Sequence, residues 1–148
     1  MIVAEVADAL VAQLNAGTYC KTFKAVRAYL PAVPLEESDS LQVLVVPKSR
    51  TPQPMARKLT EHLVELYVGV IQRVPGRLGY PQADLMDQLL QLCEQITASL
   101  HVNTRLTTLP TAMVVGITHD PIYDHEKLLK NNQFVSLITV TVQICSAN

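Results

Sequence analysis

The densest group of chemically capable side chains is His119-Asp120-Pro121-Ile122-Tyr123-Asp124-His125, which puts two imidazoles and two carboxylates within seven residues. Such groups ligate metals or move protons. A small hydrolase would use Asp120 and Asp124 with His119 or His125. The spacing argues against it. Two histidines four apart on one helix face, with glutamate as base, are missing, and so is the Asp/Asn-Gly loop of a calcium site. A Pro-Ile-Tyr centre predicts a turn that packs. His62, beside an expected strand, and His101, at an expected helix end, read as structural. Glu36, Glu37 and Asp39 fall in a Pro/Ser-rich connector with no histidine nearby, which predicts a solvated loop.

Other reactive groups are as sparse. The five glycines are isolated, so neither phosphate-cradling glycine pattern is present, and the nucleophile-elbow motif is absent too. Cys20, Cys93 and Cys145 are odd in number and far apart, with no Cys-x-x-Cys. That argues against a disulfide framework or a zinc site and favours a reducing compartment. Cys93 falls on an apolar helix stripe, where cysteine behaves as a small hydrophobe. No nucleophile, base and orienting acid assemble from this order, so neither an enzyme nor a cofactor is expected.

Elements must next be found for these residues. The chain has 148 residues, enough for one domain with a substantial core, at a net charge of −1 that advertises no nucleic-acid affinity. Charged residues make up 17%, below the usual quarter, which suggests that other chains cover part of the surface. Glu5 and Asp8 interrupt the apolar N-terminus, against a signal peptide, and no apolar run approaches the roughly 20 residues of a membrane span. A soluble protein of the cell interior is expected.

The clearest element is the last. In 132–145, Phe134, Ile138, Val140, Val142 and Ile144 share one parity, with Ser136 the one polar interruption; Thr139, Thr141 and Gln143 share the other. This predicts a long strand with one fully covered face and one half covered by a neighbour or another subunit. Ile2, Val3, Val6, Leu10 and Leu14 predict a helix ending near Gly17; Leu85, Leu89, Leu92, Ile96 and Leu100 predict a second. Further strands are expected over 22–30, 41–46, 59–74 and 112–118. Two long connections remain. The stretch 47–58 carries Lys48, Arg50, Arg57 and Lys58, no acid and three prolines, and is expected to be an exposed basic loop. The stretch 119–131 is the other loop. The order is α-β-β-β-α-β-β: an α+β, two-layer domain over 1–148, its largely antiparallel mixed sheet covered by two helices.

Several stretches together carry a resemblance. Leu14-Asn15-Ala16-Gly17-Thr18-Tyr19 runs into 22–31, the strand 41–48 follows, and Pro121-Ile122-Tyr123, Leu128 and 133–140 close the pattern. Over nearly its whole length the chain resembles the tail terminator or tail-completion proteins at the head–tail junction of long-tailed bacteriophages. The resemblance implies a ring, usually of six copies, seated on the major tail tube protein. It would end tube growth and present a surface to head-completion or connector proteins, with genome DNA passing through the lumen unbound. Location in the virion, and in host cytoplasm during assembly, is implied too. Lean charge suits subunit contacts, and a closed ring needs two different patches of one chain to meet. The alternatives are another neck component, such as a head-closure, stopper or adaptor protein, or a monomeric assembly chaperone or binding module. The two long connections are the candidate docking loops, with Lys48, Arg50, Arg57 and Lys58 in one and His119, Asp120, Tyr123, Asp124 and His125 in the other.

Overall fold

A computed structural model describes residues 1–77 and 80–147. In chain order it contains α1 (Ile2–Ala16), β1 (Ala25–Arg27), a 3-10 turn (Leu35–Glu37), β2 (Gln42–Ala56) and β3 (Leu59–Arg73). Then come β4 (Gly76–Arg77), β5 (Tyr80–Pro81), α2 (Ala83–Ser99), β6 (Arg105–Leu106), β7 (Leu109–Thr118), α3 (His125–Asn131) and β8 (Gln133–Ala147). The protein is α+β. Six strands form a mixed sheet in the order β1-β2-β3-β8-β7-β6, antiparallel throughout except that β1 runs parallel to β2; β4 and β5 pair separately.

The alternating final run becomes a central strand. β8 pairs with β3 from Leu59↔Ala147 to Arg73↔Gln133, and with β7 on its other side. Phe134, Ile138, Val140 and Val142 are fully buried on the face covered by α1 and α2. Each such side chain contributes about 1.5–3 kcal/mol by leaving water. From the helices, Val6, Leu10 and Leu14 of α1 and Leu89, Leu92, Cys93 and Ile96 of α2 complete this core. Ser136, the polar interruption, is also fully buried, and its hydroxyl is satisfied there by His119 and Cys93.

The opposite face is covered at one end only. The crossover from β1 to β2 lays Ala28 and Val33 against Leu44, Val46, Ile71 and Val135, and Gln133 Nε2 donates to the Val33 carbonyl at 3.0 Å. Further along, Leu63, Glu65, Thr139, Thr141 and Gln143 stay partly exposed. The mixed face predicted for the last strand is this uncovered surface.

Three expectations need correction. The strand over 22–30 shrinks to 25–27 because Asn15 brackets Ala25, its Oδ1 accepting from Ala25 N–H at 2.7 Å and its Nδ2 donating to the Ala25 carbonyl at 3.1 Å. The chain enters the sheet only at that clamp. Secondly, 47–58 is no loop. β2 continues to Ala56, Arg57 and Lys58 make a tight turn with Lys58 at φ 67°, and β3 returns at once. Ala28 N–H donates to the Val45 carbonyl, so Val45 and Pro47 face away from β3. An irregularity between Pro47 and Ser49 shifts the alternation, and Pro52 and Pro54 then face outward as well. Their missing N–H groups cost the β2–β3 ladder nothing, and they block strand addition at this edge. Thirdly, 119–131 contains α3, a third helix, and the sheet gains β6.

Candidate docking surface

Two distant stretches of the candidate docking set meet on the uncovered sheet face. A cleft of about 320 Å³ is lined by Lys48 and Tyr67 of the β2–β3 hairpin, by Asp120, Pro121 and Asp124, and by Leu137 and Thr139 of β8. Extended backbone at Lys48 sends its side chain over the Tyr67 ring, with Nζ 5.3 Å from the centroid and 3.4 Å from Glu65 Oε2. Glu65 Oε1 accepts from Ser49 Oγ at 3.2 Å. Both ends of the Lys48–Glu65 pair are solvated, so it fixes geometry more than stability. Lys48 and Glu65 balance, and the two aspartates leave the cleft net acidic.

The histidine-aspartate cluster is chiefly a folded corner. Asp124 caps α3, its Oδ1 accepting from Lys127 N–H at 3.0 Å, and Asn132 ends that helix in the left-handed region at φ 51°. Tyr123 stacks on His125 with centroids 4.5 Å apart and on Phe134 at 5.7 Å. His119 Nε2 lies 3.1 Å from the Ile122 carbonyl oxygen and 2.6 Å from Ser136 Oγ. A carbonyl only accepts, so Nε2 carries the proton and shares it between the two oxygens.

Cys93, Ser136 and His119 therefore form a chain, with Cys93 Sγ 3.5 Å from Ser136 Oγ. The pair at its inner end is sealed from solvent. Burial pushes the Cys93 thiol up to about 11, so it stays protonated at neutral pH, and neither Cys93 nor Ser136 reaches solvent. Among the described residues no three His, Cys, Asp or Glu side chains converge as metal ligands would.

Burial also holds His119 below its ordinary value of 6.5, against a smaller opposing pull from the Ile122 carbonyl. The folded protein thus resists protonating a group that the unfolded chain protonates freely. Stability should be level above pH 6.5 and fall as pH drops below it, towards the depressed folded-state value. Melting temperature followed from pH 7.5 to 5 should fall more steeply for the wild type than for His119→Gln. Parallel profiles would contradict this.

The remaining candidates lie elsewhere. Arg50 Nη1 donates to His62 Nδ1 at 3.1 Å, and His62 Nε2 reaches Ser146 Oγ at 2.9 Å, so Arg50 is tied to the helix-covered side. Arg57 and Lys58 form the exposed hairpin tip. One further surface lies outside the alternating patterns. Met1 and Tyr29 are 90% and 79% exposed and line a cleft of about 270 Å³ with Val3, Ala4, Arg27 and Pro47, and Leu30, 72% exposed, follows Tyr29 in the chain. Large apolar side chains gathered this way mark a contact surface. Tyr29-Leu30-Pro31 at a strand end was its sequence signal.

No known protein family matches the chain, and no curated protein is similar enough to count as a relative. No helix among the described residues is long and apolar enough to cross a membrane.

Proposed function

We propose that the chain is a structural protein of the neck of a long-tailed bacteriophage, of the tail-terminator type. Six copies close into a ring on the last ring of the tail tube, end its growth and offer a joining surface to the head. The observation that carries this reading is the exposed apolar group Met1, Tyr29 and Leu30, a surface that asks for a partner chain. It agrees with the low charge content and with the sequence resemblance.

The role is mechanical and not catalytic. On the uncovered sheet face Glu61 and Glu65 outnumber Lys48, so that face offers phosphates no net positive charge. The direct test adds the purified chain to polymerising tail tube protein and images the products. Capped tubes of limited length, with one added ring at the tip, are expected. Tubes that grow on with bare ends would overturn the proposal.

A further inference from the structure

The hairpin carries a basic tip, and the cleft at its base is net acidic. Arg57 and Lys58 are exposed and, like Asp120, take part in no ion pair among the described residues. In the cleft Lys48 is already matched by Glu65 at 3.4 Å, which leaves Asp120 and Asp124 in excess. Asp124 spends one oxygen on capping α3. Asp120 is exposed at the rim.

A chain cannot satisfy its own cleft with its own tip. Lys48 lines the cleft and Arg57 lies nine positions further on, in the turn just past the end of the same strand. At about 3.3 Å per residue, extended backbone holds them roughly 30 Å apart. The complementary charge must come from another molecule, and a second copy supplies it.

We infer that in the ring the Arg57-Lys58 tip of one copy docks in the cleft of the next, its charge against Asp120 and its aliphatic stems on Pro121 and Leu137. This inference rests on the ring reading and deepens it. Two different patches of one chain, a fixed distance apart, make the head-to-tail contact that generates a ring. Arginine suits the site, since its planar group pairs with a carboxylate while its stem covers apolar surface. The prolines of β2 contribute by keeping that edge from pairing with other strands, so the tip and not the edge makes the contact.

The test is a charge swap read by sedimentation velocity over a concentration series, with and without tail tubes. Asp120→Arg, and Arg57→Asp with Lys58→Asp, should each raise the concentration needed for assembly at least tenfold. Combining them should return it to within about threefold of wild type. Circular dichroism should be unchanged, because every substituted residue is exposed. Wild-type rings with undisturbed single variants, or with no rescue in the combination, would overturn this contact while leaving the ring standing. A wild type that never assembles, even at tube ends, would remove both.

Discussion

Phe134→Ala should cost about 3–5 kcal/mol, the largest loss of stability expected from truncating one side chain here. Phe134 is fully buried on β8, in the sheet's central pair, and its ring packs against Tyr123 at 5.7 Å. Truncation opens a cavity between the sheet and the corner that holds His119. For a domain of this size the melting temperature should drop by roughly 10 °C. The cavity should also loosen the 119–124 segment, so amide exchange at Asp124, whose N–H donates to the Val135 carbonyl at 2.8 Å, should quicken ahead of exchange in α1. A change under about 1 kcal/mol would mean that the corner collapses to fill the space, and would contradict this account of the core.

Tyr29→Asp with Leu30→Asp should have the opposite signature, with folding unchanged and association lost. Both side chains are already in water, at 79% and 72% exposure, so the folded monomer gives up little. Burying them against a neighbour would contribute about 1.5–3 kcal/mol each, so losing both should weaken association by roughly a hundredfold or more. Buried carboxylates would add a desolvation penalty. Sedimentation and thermal melting on the same samples separate the two quantities. Unaltered self-association would show that this patch faces solvent in the assembled protein.

What the sequence disclosed follows from how locally each feature is determined. β8 and both long helices were legible because their patterns repeat over many residues and the sheet satisfies them without conflict. β2 was not legible beyond Pro47. Three prolines ordinarily exclude a strand, and only pairing on one side, with alternation shifted beside Lys48, lets all of them face outward. α3 is seven residues long, too short for a periodic signal, though its Asp124 cap and the Asn132 stop were there to be read. The His/Asp cluster looked chemically capable because sequence places residues side by side without saying where they point. Folding turns Tyr123 and His119 inward, gives Asp124 to a helix end and leaves Asp120 at a rim. That Lys48 would meet Asp120 and Asp124 depends on pairings across the sheet that no local pattern encodes.

Ring formation is decided by the mass of the purified protein across concentration, alone and with tail tubes. A closed oligomer of about six copies in solution, or a monomer that forms such rings only at tube ends, is expected. A monomer at every concentration, indifferent to tubes, would contradict it.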